Sequence, residues 1–136
     1  MQISAQVHNS AGHHAVHVAT AGTRQPLPVA GKPGGGSSVN GGEFLMLALA
    51  TCYCNDLYRE AARLRIELTE VEVEASAWFD GIGLAARDVC YRARITSTAS
   101  ASQVEQLLRE TDVVAEVQTT LRAGVAVRRE PWAARA

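Results

Sequence analysis

The sequence predicts an α+β fold in which antiparallel sheets cover a long buried helix, and three observations predict it. The run Phe44 to Cys54, FLMLALATCYC, carries no charge over eleven residues and continues into the polar series Asn55 to Arg63, the pattern of a helix buried on all sides over its first half. Arg65 to Phe79 and Leu84 to Thr98 alternate apolar and polar residues around Asp80-Gly81-Ile82-Gly83, which reads as one long hairpin. Shorter alternating stretches open the chain, so strands precede the helix as well as follow it.

Taken in order, Gln2 to His8 and His14 to Thr20 alternate around the turn residues Asn9 to Gly12 and form a first hairpin. Gln25 to Ala30 is a third short strand, placed at an edge by Pro26 and Pro28, which lack an N–H for the ladder. These N-terminal strands occupy residues 1–30. Residues 31–42, GKPGGGSSVNGG, are a glycine-rich loop, either mobile or packed close against a neighbour. Asn40 and Glu43 have the spacing of a capping box, which starts the central helix at about Gly42 and carries it to Arg63 or Leu64, roughly 30 Å.

The hairpin occupies residues 69–98, its alternation slipping near Thr69, where a bulge or the true strand start is expected. A turn centred on Gly81 puts Glu70 opposite Arg92 and Glu72 opposite Cys90, with Arg94 diagonal to Glu70. Two helices fill residues 101–122. Ser100 and Gln103 cap the first, Ala101 to Arg109, and Thr111 or Asp112 caps the second, which Gly124 stops. Residues 125–128 are a last short strand, and the tail from Glu130, with Pro131 and Trp132, is expected to fray. One sheet covers only one side of the central helix, so the other needs a partner subunit or the later helices, and a homodimer is expected.

Composition narrows the function. The chain has 136 residues, one domain by length, with a net charge of −1, and its only lysine is Lys32, so bulk charge favours neither a nucleic acid nor an anionic membrane surface. Eleven apolar residues are too few to span a bilayer, and Met1 to Val7 alternates instead of forming an apolar block. A cytoplasmic protein is expected. His8, His13, His14 and His17 crowd one hairpin without a zinc spacing, so neither metal nor cofactor is expected and the histidines read as a solvated face.

The chemistry left is that of Cys52, Cys54 and Cys90, an odd set that does not read as a disulfide framework. Cys52 and Cys54 stand about 200° apart around the helix and face nearly opposite ways. Cys54 reads as a small packed hydrophobe, and Cys90 falls on the polar face of its strand. Cys52 is reactive only if a cation or donors favour its thiolate, and Arg24 and Glu43 are the candidates for that company. Glu43 lies nine residues before Cys52, half a turn out of phase, so it cannot touch Cys52 directly within one helix.

The stretches GGEFLMLALATCYCNDLYREA and TDVVAEVQTTLRAGVAV, with the glycine loop, resemble the OsmC/Ohr family of osmotically inducible and organic-hydroperoxide-resistance proteins. The resemblance covers nearly the whole chain, with the central helix as its specific motif. It implies an OsmC-like fold: an intertwined homodimer whose two central helices pack between sheets from both subunits. It further implies a thiol-dependent reductase of organic hydroperoxides, with Cys52 as the peroxidatic cysteine, Glu43 as the family's acid and Arg24 as the arginine that steadies the thiolate. The family's second cysteine falls near Ala115, where this chain has Ala115 and Glu116 and no cysteine after Cys90. Resolution of an oxidised Cys52 therefore falls to Cys54, to Cys90 or to an external thiol reductant. The alternative is a ligand-binding or redox-sensing member of the same fold without peroxidase turnover.

Overall fold

The computed structural model describes residues 1–132. The order is β1 (Ile3–Ser10), β2 (His13–Thr20), β3 (Thr23–Pro26), α1 (Gly41–Leu64), β4 (Glu70–Trp78), β5 (Arg87–Thr96), α2 (Ala101–Val114) and α3 (Glu116–Ala123). This is a mixed α+β architecture with two antiparallel sheets, β1-β2-β3 and β4-β5. The chain gathers into two compact units, Met1–Leu45 and the residues from Met46 onward. No helix among the described residues is long and apolar enough to cross a membrane.

In the first unit β1 and β2 pair from Ile3 opposite Thr20 to Ser10 opposite His13. The turn into β3 uses Ala21 and Gly22, both at positive φ (48° and 83°), the handedness that matches the twist of paired strands. The third strand is Thr23–Pro26 and not the expected Gln25 to Ala30, because pairing stops at the first of two prolines. The glycine loop folds back on the first hairpin. Gly34, Gly35 and Gly36 all take positive φ, and the Gly36 N–H reaches the Asn9 side chain at 3.2 Å. A Cβ on Gly31 would stand only 3.0 Å from that of His14, so the loop is packed close.

In the second unit α1 supplies Tyr53, Leu57 and Ala61 at helical spacing to a core completed by Ile66, Leu107 and Ala115. Tyr53 packs edge-on against Tyr91 of β5, ring centroids 4.6 Å apart, and donates its hydroxyl to the Leu108 carbonyl of α2 at 2.7 Å. Helix α1 ends with Arg65 at φ 57°, its N–H on the Ala62 carbonyl and that of Ile66 on the Ala61 carbonyl. This is a Schellman stop with arginine where glycine is usual. The apolar first half of α1 is not buried on all sides within the chain: Leu47 is 54% exposed, and the buried line runs through Leu49, Tyr53, Asp56, Leu57, Glu60 and Ala61.

The hairpin register is displaced from the expectation. Glu72 faces Arg94, Glu74 faces Arg92, Ser76 faces Cys90 and Glu70 faces Thr96. The strands stop at Trp78 and resume at Arg87, so the connection is centred beyond Gly81; β4 begins at Glu70, so the slip near Thr69 marks the strand start, and the bulge lies between Ser76 and Trp78. Each acid is displaced by four residues along β5, an even number, so the acids and arginines keep their expected face and the acid–arginine ladder survives. Helix α2 runs through Thr111 to Val114. Instead of capping a new helix, the Thr111 hydroxyl bonds back to the Leu107 carbonyl at 2.7 Å, and the break falls at Ala115. Residues 125–128 are not a strand. No described strand pairs with them, and Val127 is 96% exposed.

Candidate functional site

Ala115 ends α2 and opens α3, and it has no side chain to cap the N–H groups of the helix that follows. Those groups act on Cys52 instead: the backbone N–H groups of Val117 and Glu116 lower the pKa of its thiol. Asp56, one turn further along α1, falls on the same face. The Cys52 Sγ lies 3.8 Å from Asp56 Oδ2 and 3.8 Å from Glu116 Oε2. Gln118 ties α3 to α1 by donating to the Leu49 carbonyl at 3.1 Å.

Opposed fields act on this thiol. Burial pushes its pKa up, the Val117 and Glu116 amides pull it down, and the charges of Asp56 and Glu116 push it up again; the net direction is upward. Asp56, 5% exposed, is itself raised by burial, against the pull of Arg59, whose guanidinium holds Oδ1 at 2.8 Å. Cys52 is thus a half-buried thiol between two carboxylates, with its pKa above the ordinary thiol value.

Glu43 and Arg24, expected beside the thiol, have partners of their own. Glu43 completes the capping box with Asn40, accepting from the Asn40 N–H at 2.8 Å while its own N–H reaches Asn40 Oδ1 at 2.9 Å. Arg24 donates to Gln6 Oε1 at 2.8 Å within the first unit. Cys54 is a half-buried free thiol, and Cys90 is exposed and hydrogen-bonded to Ser76 Oγ at 3.3 Å. Among the described residues, no sulfur is a partner of the Cys52 sulfur.

Asp56 and Glu116 were not expected at the site. Asp56 had one signal, a carboxylate on the buried line of α1 a turn after Cys52. Glu116 had one as well, since the resemblance puts the family's second cysteine near Ala115 and Glu116, but placing a helix start at Thr111 or Asp112 puts it inside a helix and not at its first turn.

No curated protein matches the chain in sequence. Among solved structures it is similar to an organic hydroperoxide resistance protein OsmC from Legionella pneumophila, at 18% identity, a TM-score of 0.61 and 90% coverage of each chain. An OsmC-like protein from Mycoplasma pneumoniae aligns at 15% identity and a TM-score of 0.61, over 89% of this chain and 86% of that one. An organic hydroperoxide resistance protein from Elizabethkingia anophelis aligns at 15% identity and a TM-score of 0.60, over 90% and 89%. At such identities these likenesses establish the fold. The profile of the OsmC-like protein family matches residues 34–130, a span that takes in α1, the second hairpin and both later helices, and the chain therefore belongs to the OsmC-like family.

Proposed function

We propose that the protein is a thiol-dependent hydroperoxide reductase acting through Cys52 on organic hydroperoxides, in the cytoplasm and as a homodimer. The observation that carries this reading is the placement of the Cys52 sulfur against the uncapped first turn of α3, where the Glu116 and Val117 amides stabilise a thiolate. Family membership and the two relatives described as organic hydroperoxide resistance proteins support the substrate class. In the proposed reaction the thiolate attacks the outer peroxide oxygen, the O–O bond breaks, and the alkoxide leaves and takes up a proton as the alcohol. Cys52 is left as a sulfenic acid. One external thiol condenses with it, releasing water, and a second thiol reduces the mixed disulfide and restores Cys52.

The external thiol replaces the missing second cysteine, since the described partners of Cys52 are oxygens and backbone amides. Glu43 and Arg24 enter as the acid and the cation that the family resemblance assigns to the thiol. To take those roles they exchange their present bonds to Asn40 and Gln6. Dimedone trapping after sub-stoichiometric cumene hydroperoxide, together with peroxide consumption under an excess of dithiol, tests the proposal. Labelled Cys52 and turnover lost in Cys52→Ser are expected, with organic hydroperoxides consumed faster than hydrogen peroxide. Neither label nor consumption would sink it, and label without turnover by any dithiol would replace it with a redox-sensing role.

A further inference from the structure

The geometry points to a second use of the same corner: Cys52, Asp56 and Glu116 form a three-donor site for a divalent cation of the zinc class, and its occupancy withdraws Cys52 from oxidation. The withdrawal rests on the peroxide chemistry proposed above, whereas the cation site stands on the donors alone. Their ligating atoms all lie within 4.8 Å of one another, and both sulfur–oxygen separations are 3.8 Å. A tetrahedral zinc with a Zn–S bond of ~2.3 Å and Zn–O bonds of ~2.0 Å places sulfur and oxygen ligands about 3.5 Å apart. The two sulfur–oxygen gaps therefore close by about 0.3 Å each, and the carboxylate oxygens, within 4.8 Å of one another, approach to about 3.3 Å, a movement of at most about 1.5 Å open to the exposed Glu116 side chain.

An independent observation comes from the buried carboxylate. Asp56 is 5% exposed, and Arg59 holds its Oδ1, so its Oδ2 is turned toward the thiol. Among the described residues no N–H or O–H group donates to that oxygen; its partner is the weakly donating thiol at 3.8 Å. A buried carboxylate oxygen served only by S–H is short of a partner, and a cation supplies one. Arg59 then acts as metal-site neighbours commonly do, fixing the orientation of a ligand from its far side. The Glu116 and Val117 amides do the same for the sulfur, since N–H donation sustains a bound thiolate.

Charge and ligand type favour the same class. A thiolate and two carboxylates outweigh a divalent cation by one negative charge, which the Arg59 guanidinium, shared between Asp56 and Glu60, offsets in part. One sulfur with two carboxylate oxygens suits zinc or cobalt better than calcium or magnesium. The thiol proton leaves for solvent as the ion binds. Glu116 is exposed, which leaves the fourth position to water.

Cobalt(II) titrated into the metal-free, reduced full-length protein tests the site. Expected are one cobalt per chain, a thiolate-to-cobalt charge-transfer absorption displaced by zinc, loss of that absorption in Cys52→Ser, and affinity weaker by at least about tenfold in Glu116→Gln. Absence of the absorption, its survival in Cys52→Ser, or unchanged affinity in Glu116→Gln overturns the site. The oxidation claim is read separately, as dimedone labelling of Cys52 with and without zinc, which zinc should suppress and a chelator restore. Cobalt binding by a protein inert to peroxide would refute the reductase and keep the site; peroxide turnover without cobalt binding would do the reverse.

Discussion

Cys52 is a thiol under opposed influences, and the balance sets its reactivity. With its pKa raised, the thiolate fraction at pH 7 is small and grows as pH climbs through the ordinary thiol value of 9.0 and beyond. Alkylation of Cys52 by iodoacetamide should therefore keep accelerating above pH 9, with no plateau near neutrality. Glu116→Gln removes one of the two raising charges at an exposed position, and it should speed alkylation at pH 7 by about two- to fivefold, the modest effect of a solvent-screened charge pair. An unchanged rate would mean that burial alone holds the thiol protonated. The sequence made Cys52 legible because helical geometry separates it from Cys54 and the family resemblance singles it out. Its carboxylate neighbours were not legible as a pair, since they lie sixty residues apart and meet only when α3 starts where it does.

Helix ends account for most of what could and could not be read at the level of elements. Both capping boxes stand where side-chain spacing places them, with Ser100 Oγ accepting from the Gln103 N–H at 3.2 Å. Ser100→Ala should cost about 1 kcal/mol in urea unfolding. Glu43→Gln keeps a side chain able to reach the Asn40 N–H, so stability should change by no more than a few tenths of a kcal/mol. Loss of peroxide turnover in that variant, with unfolding unchanged, would then be catalytic and not structural. Arg65 is the opposite case: the Schellman geometry demands a left-handed residue, and arginine takes it at a cost. Arg65→Gly should stabilise the protein by up to ~1 kcal/mol, less what the freer unfolded chain takes back, and a lower urea midpoint would contradict this. The boundary at Ala115 was hidden because Thr111 resembles a cap in sequence, yet its hydroxyl is used inside the turn of α2.

At the scale of the whole molecule, the α+β order and both hairpins follow from periodicity, because an alternation of two and a helical stripe are local properties of the chain. What periodicity does not supply is the partner of an unpaired surface. The charge-free run of α1 leaves Leu47 54% exposed, and the second unit also exposes Trp78, Phe79, Ile82 and Leu84. Solvated leucine inside a charge-free helical run is costly in a monomer, and the homodimer proposed above removes that cost. In a symmetric pair each substitution acts twice. Leu47→Glu withdraws two leucines, each worth ~1.5 kcal/mol or more when buried, and puts two unpaired carboxylates in their place. Sedimentation equilibrium should find the wild type at twice the 14.5 kDa chain mass, and the variant should dissociate at concentrations roughly a hundredfold higher or more. A wild type that sediments as a monomer at tens of micromolar would remove the dimer and leave the open face of α1 to some other partner. A dimer indifferent to Leu47→Glu would place the interface elsewhere on the chain, so the two measurements together separate the assembly from its proposed surface.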